Sequence, residues 1–294
     1  WLRRKSIRYD IWRRYGDPEQ DVKLRIKNSD VWYPRFLGGE FLENFIKLCA
    51  WYISEGHTAI STPLHVSQSP SKNSEEIISI LKRLGALGQI AQNQSYSYKR
   101  KIENKVLKIT GKGLLAELVS RSCGYLSFNK IIPWFIFELS PKYQEIFIKT
   151  LFKGDASEYP SHWDYDTTSK KLSLGLGLLL AQNSYRFAVY TEETSKKNKN
   201  WRDQCKVRIY KEGTIAKKAY SVNDFEARSC LKIEKFKYKR EYEYDLSVDL
   251  PQENFIGGSG LLVFHNTPFL NVSLDIKPPD FLKNQPVIVG GAAQ

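Results

Sequence analysis

Two short segments 100 positions apart each end in a carboxylate: "LCAWYISEG" (48–56) carries Glu55 and "IKTLFKGDA" (148–156) carries Asp155. Both read as helices that run from apolar residues to an acid. Ala50 and Ser54 share one face of the first, and Thr150 and Gly154 hold the matching places in the second. Small residues at that spacing let two helix backbones approach closely, because little side chain intervenes. Close helices bring their terminal acids side by side, where the charges repel unless a cation sits between them. Mg2+ suits such a place, being a hard ion that takes oxygen ligands and keeps several waters. It activates water against a phosphodiester and stabilises the leaving oxygen. One copy of the pattern reads as a helix-end acid on a solvated face; the second copy turns the reading towards a shared site.

The elements around the two acids repeat as well. After each comes a strand region, then an apolar helix ("SEEIISILKRLGALG", 74–88; "SKKLSLGLGLLLAQ", 169–182), then a strand ("KVLKIT", 105–110; "KVRIYK", 206–211). Two copies of one αβ unit, related by a pseudo-two-fold axis, are expected, which makes the fold α+β. Residues 195–206 read as a polar, basic loop. Residues 231–266 change to short β-type runs punctuated by Pro251 and Gly257, Gly258 and Gly260. Residues 267–294 are Pro-rich and break the basic trend. Residues 1–40 are basic and aromatic, either a phosphate-binding amphipathic helix or a solvated lead-in.

Lysine and arginine total 45 against 32 acids, a net charge of +13. That balance fits a polyanionic partner such as nucleic acid, and on charge alone a merely basic protein fits equally. No apolar run approaches the ~18–20 residues of a membrane span, so no membrane partner is expected. The four cysteines, Cys49, Cys123, Cys205 and Cys230, form no CxxC pair, which argues against a zinc site or disulfide framework and fits a reducing cytoplasm. The 294 residues contain no methionine, and the chain is read as a piece of a longer precursor.

The two acid-bearing segments resemble the paired motifs of single-chain LAGLIDADG homing endonucleases. "KITGKGLLAELVSRSCGYLSFNKIIPWFIF" (108–137) and "TTSKKL" (167–172) are similar too. The resemblance covers roughly 41–235 and gives an expected nuclease domain over 41–230. It implies motif helices at a two-fold interface, two αββαββα-like repeats, and a saddle of antiparallel strands lying along double-stranded DNA at a long asymmetric site. The molecule is then a monomer with internal pseudo-symmetry. Glu55 and Asp155 become the Mg2+ ligands. Lys130, in "NKIIP" 25 residues before Asp155, matches a lysine that assists catalysis in related intein nucleases. A cation there offsets charge developing at the scissile phosphate; a surface lysine before a turn is the plainer reading. Its second-repeat partner is Lys232 by repeat spacing, or Lys217 or Lys218 by distance from the later splicing motif. Ala156 departs from the family's usual glycine, and a left-handed helix end there costs alanine about 1 kcal/mol. DNA contacts are expected from Tyr96, Tyr98, Lys99, Arg100, Lys101 and Lys105 in the first repeat. The second offers Lys196, Lys197, Lys199, Arg202, Lys206 and Arg208. Such residues meet phosphates for affinity and base edges for sequence choice.

"YEYDLSVDLPQENFIGGSGLLVFHN" followed by Thr267 resembles the C-terminal end of inteins, the Hint splicing domain. The resemblance implies that the Asn266 side-chain amide attacks its own main-chain carbonyl. A succinimide forms and the bond to Thr267 breaks, an intramolecular step favoured by proximity. His265 polarises the carbonyl or protonates the leaving nitrogen. The Thr267 hydroxyl receives the upstream acyl chain beforehand, and Asp245 tunes these steps. Glu253 stands where the family frequently has histidine. The Thr62–His65 "TPLH" has the spacing of an N-terminal splicing motif but follows the first nuclease helix, and is read as unrelated. Residues 231–266 are thus the C-terminal part of a splicing domain. Residues 267–294 are a C-extein resembling anaerobic, class III ribonucleoside-triphosphate reductases, with the flanking exteins as partners in cis. Splicing in cis needs an N-terminal half not found in these residues, leaving at most slow cleavage after Asn266. Two other readings stay open: a splicing element whose nuclease has decayed, and a host oxidoreductase carrying all of this as an insert.

Overall fold

The computed structural model describes residues 23–24, 32–34, 38–59, 62–97, 102–197, 199–212, 219–222, 225–228, 254–257, 262–265, 288–289 and 292–293. Two short strands, β1 (Lys23–Leu24) and β2 (Tyr33–Pro34), pair ahead of the first long helix, α1 (Gly39–Glu55). The chain continues through β3 (Gly56–Ala59), β4 (Thr62–Gln68), α2 (Lys72–Arg83), β5 (Leu87–Ser97), β6 (Ile102–Gly111) and α3 (Gly113–Cys123). A 3-10 turn at Ser127–Asn129 and a short helix α4 (Trp134–Glu138) lead to α5 (Pro141–Asp155). Then the pattern recurs: β7 (Ala156–Glu158), β8 (His162–Thr167), α6 (Lys170–Gln182), β9 (Phe187–Glu192), the single turn α7 (Thr194–Lys197) and β10 (Gln204–Tyr210).

Each repeat builds one four-stranded antiparallel sheet with the same spatial order. The first runs β3-β4-β6-β5 and the second β7-β8-β10-β9. The fold is therefore α+β with an internal repeat. The registers correspond where the strands leave the motif helices: Gly56 faces Val66 and Val66 faces Ile109, while Ala156 faces Tyr165 and Tyr165 faces Val207. The remaining strand pair, β11 (Ala219–Val222) with β12 (Phe225–Arg228), closes this unit. A second compact unit holds the hairpin β13 (Asn254–Gly257) with β14 (Leu262–His265), and the short pair β15 (Ile288–Val289) with β16 (Ala292–Ala293).

The sequence explains why α1 is central. Phe45, Ile46, Leu48, Cys49, Ala50, Trp51, Tyr52 and Ile53 are all 4% exposed or less. A helix apolar on nearly every side must be surrounded, and each large side chain so buried contributes about 1.5–3 kcal/mol. The outer helices are set by their caps. Ser71 and Ser74 exchange a reciprocal capping pair at the start of α2, and the Ser169 hydroxyl accepts from Leu172 N–H at the start of α6. Strand β10 alternates, with Cys205, Val207 and Ile209 buried on its helix side. Cys49, Cys123 and Cys205 are free and buried. No described helix is long and apolar enough to cross a membrane.

The helix ends correct one expectation. Gly56 (φ −91°) and Ala156 (φ −84°) both have extended backbone, so the chain passes from helix straight into strand without a left-handed residue. Ala156 pays no conformational penalty there. Gly56 is required for a different reason: a Cβ would stand 2.5 Å from the Tyr52 ring and 2.6 Å from the Tyr52 carbonyl oxygen.

Candidate active site

Helices α1 and α5 pack side by side, and their closest approach falls at the small residues. A Cβ on Gly154 would lie 2.4 Å from the Ser54 Cβ, so the seam admits nothing larger than glycine. The Ser54 hydroxyl reaches across to the Leu151 carbonyl at 3.4 Å as well as back to Ala50 at 3.2 Å. Glu55 and Asp155 follow this contact directly, at the last residue of each helix.

The two carboxylates sense each other. Burial, and then the charge of Glu55, pushes Asp155 up to about 7, with Lys130 pulling the other way. Burial also raises Glu55, opposed by a 2.9 Å hydrogen bond donated by the Gln68 amide to Oε1. Among the described residues, Asp155 has no hydrogen-bond donor on its carboxylate. Tyr165, fully buried, lies within the electrostatic reach of both acids and is pushed up by burial and by Asp155.

Lys130 is 3% exposed, which rules out the reading as a surface lysine. Its ammonium donates to the Tyr52 carbonyl at 2.6 Å and the Gly56 carbonyl at 2.9 Å, across the end of α1, and sits 3.3 Å from the Tyr52 ring centroid. Burial pulls its pKa down to about 7, against the attraction of Cys123 and Asp155. The main chain at Lys130 is anchored by the α6 cap: the Ser169 hydroxyl donates to the Lys130 carbonyl at 2.6 Å. One residue thus starts a helix of the second repeat and fixes a lysine beside the first.

The donor set fits a hard divalent ion. Two acids face one another, one of them lacking any donor, and no third histidine, cysteine or acid joins them among the described residues. Such a pair leaves coordination positions to water and substrate oxygens, which suits Mg2+ better than an ion needing an all-protein cage.

The basic residues divide differently from the sequence expectation. Lys206 and Arg208 lie on the face of the second sheet opposite its buried Val207 and Ile209, but acids engage them. Arg208 donates to both oxygens of buried Asp164 at 2.7 and 2.8 Å, and Lys206 stands 3.6 Å from Asp164 and Asp166. Arg208 holds the Asp164 carboxyl below the usual carboxylate range. Arg202 stacks on Phe128 at 3.7 Å, and Lys196 pairs with Glu193. Lys199 is exposed in the loop before β10. Lys105 is exposed, but alternation along β6 puts it on the side of buried Ile109 rather than the open face. Lys108, which spacing alone did not single out, occupies that open face.

The expected residues Tyr98, Lys99, Arg100, Lys101, Lys217, Lys218, Lys232, Asp245, Glu253, Asn266 and Thr267 lie outside the described residues, as do the side chains of Tyr96, Lys197 and His265. In the backbone, His265 faces Asn254 across the β13–β14 hairpin. Sequence reasoning missed Gln68, Tyr165 and Asp164; only the strand register, which a single sequence does not print, brings them to the acids or the basic residues.

No family model matches the chain. It is 26% identical over 283 residues to a DNA polymerase of Thermococcus hydrothermalis, covering 78% of this chain and 16% of that protein. It is 26% identical over 271 residues to a DNA polymerase of Thermococcus aggregans, covering 76% and 14%. The chain therefore spans about one sixth of the length of these relatives. Among solved structures it is similar to mesophilic variants of the homing endonuclease I-DmoI (TM-score 0.41, 10% identity, 57% of this chain and 88% of that one). It is also similar to the homing endonuclease I-WcaI bound to its DNA recognition sequence (TM-score 0.37, 9% identity, 56% and 75%).

Proposed function

We propose that residues 41–230 are a LAGLIDADG-type homing endonuclease that cuts double-stranded DNA with a divalent cation, Mg2+ by preference. The observation that carries this is the meeting of Glu55 and Asp155 at the ends of two repeated helices joined at Ser54 and Gly154. Glu55 and Asp155 would hold the ion. Bound there, it supplies the Lewis acidity that phosphodiester cleavage needs. Gln68 orients Glu55 through its amide, and Lys130 places a buried cation near Asp155, where it offsets negative charge gathering on the phosphate. Tyr165 is buried within electrostatic reach of both acids.

The C-terminal segment, in this reading, is the end of a splicing domain. Asn266 cyclises with release of Thr267, and His265 assists. A match to a minor part of two proteins named polymerases, beside a tail resembling a reductase, is what an element inserted in unrelated hosts produces. Ala156, with its extended backbone, carries no left-handed strain that would count against cleavage.

The test is a plasmid carrying the uninterrupted host gene, incubated with the protein and Mg2+. Linearisation at one site is expected. Glu55→Gln or Asp155→Asn should lower the rate at least about 100-fold, as loss of an essential catalytic group does. A plasmid that is bound yet stays intact would favour the decayed nuclease.

A further inference from the structure

We propose that His57, His65 and Lys108 form a phosphodiester-binding subsite that grips the DNA backbone beside Glu55. This rests on the nuclease reading and adds residues to it. His57 and His65 are direct partners across β3 and β4, with ring centroids 5.2 Å apart and planes at 13°. His65 is 5% exposed, and both of its ring nitrogens are buried without a hydrogen-bond partner among the described residues. Leaving a buried donor unmatched costs about 1–3 kcal/mol, so a site that keeps one has a use for it. His65 faces Thr110, two residues along the same strand face from Lys108. The cross-strand neighbours of Lys108 are Ser67 and Ala91, neither acidic.

The second repeat supplies the contrast. In the corresponding registers the place of His65 is taken by Asp164, and that of Lys108 by Lys206. There the carboxylate already engages Lys206 and Arg208. In the first repeat the same spot holds imidazole and ammonium with no acid among those cross-strand neighbours, and the anion must come from outside. The cluster begins one residue past Gly56, so an anion there is adjacent to the acids. A metal is a poor occupant: nearly parallel rings do not converge their nitrogens on one point, and Lys108 shares the face. A phosphate oxygen is a good one, accepting from an imidazole N–H while Lys108 neutralises its charge. His57 lies over His65 and is itself exposed. Exposed side chains change rotamer in about ps–ns, so His57 can turn aside and uncover the His65 nitrogens.

The probe is a short random-sequence duplex added to the full chain in EDTA, with binding followed against salt. Lys108→Ala should make the log–log salt slope shallower by about 0.9, the loss of one phosphate contact. His65→Ala should weaken binding about tenfold, and His65→Gln, which keeps an N–H donor, should recover part of it. In the unaltered chain labelled with 15N-histidine, the ring nitrogens of His57 and His65 should shift on adding duplex, a change that a purely structural role would not produce. An unchanged slope in Lys108→Ala, or unmoved ring resonances with duplex bound, overturns the subsite and leaves the DNA reading standing. Failure of the unaltered chain to bind any duplex overturns both.

Discussion

Burial disfavours the charged form of both Asp155 and Lys130, shifting the first up and the second down, and this fixes how stability should follow pH without metal. Asp155 is raised to about 7 in the folded chain, above the ordinary value near 3.9. The native state then binds more protons than the unfolded one, so this group's contribution falls as pH rises from about 4 through 7. Lys130 is lowered to about 7, below the ordinary ~10.4. Across that upper window the unfolded state binds more protons, and its contribution rises with pH. The pair together places a dip near pH 7. Thermal melts in EDTA should show Asp155→Asn flattening the fall on the acid side and Lys130→Met flattening the rise on the alkaline side. Saturating Mg2+ should fill in the dip for the unaltered chain, because an ion that binds only the native state stabilises it; a dip unchanged by Mg2+ would count against a metal between the acids. The two carboxylates were legible in the sequence because their motif repeats. The environment that tunes them was not, since Tyr165, Gln68 and the Tyr52 carbonyl reach the site through strand pairing and helix ends.

At the scale of elements, the repeat was legible because each αββ unit carries its own helix and strand periodicities, and identical sheet orders followed. What the sequence concealed is which strand face each charge occupies. Lys105 and Lys108 are three residues apart, an odd step that puts the first on the helix side and the second on the open face, and period-2 alternation is readable only once a buried neighbour such as Ile109 is known. Helix ends behaved similarly: the glycine preference after the motif reads as a left-handed cap from sequence, whereas the structure uses glycine at Gly56 to clear Tyr52. Substitutions at the helix seam, the helix end and the helix cap test these placements. Gly154→Val forces a branched side chain against Ser54 and should cost about 1–3 kcal/mol by urea unfolding. Ala156→Gly, with no left-handed strain to relieve, should fail to stabilise and should cost up to about 1 kcal/mol through unfolded-state entropy. Ser169→Ala removes a helix cap and the anchor on Lys130 together. It should cost about 1–2 kcal/mol and slow DNA cleavage even where the protein stays folded.

On the scale of the whole molecule, the two proposed chemistries fall in two compact units: the acids and Lys130 in the first, strands β13 and β14 with His265 in the second. Among the described residues, each strand pairs with a strand of its own unit. Nothing in the proposed Asn266 step draws on the carboxylates, and nothing in phosphodiester cleavage draws on the asparagine amide. Substitutions at the two places should therefore be independent, with effects that add. Asn266→Ala should abolish release of the segment beginning at Thr267, read by mass spectrometry after prolonged incubation, while plasmid cleavage and the melting temperature stay as they were. Asp155→Asn should abolish plasmid cleavage while that release proceeds at its original rate. The double variant should show the sum of the two losses and no more. Asn266→Ala that also slows DNA cleavage would mean the C-terminal hairpin completes the nuclease, and the division of labour between the units would have to be abandoned.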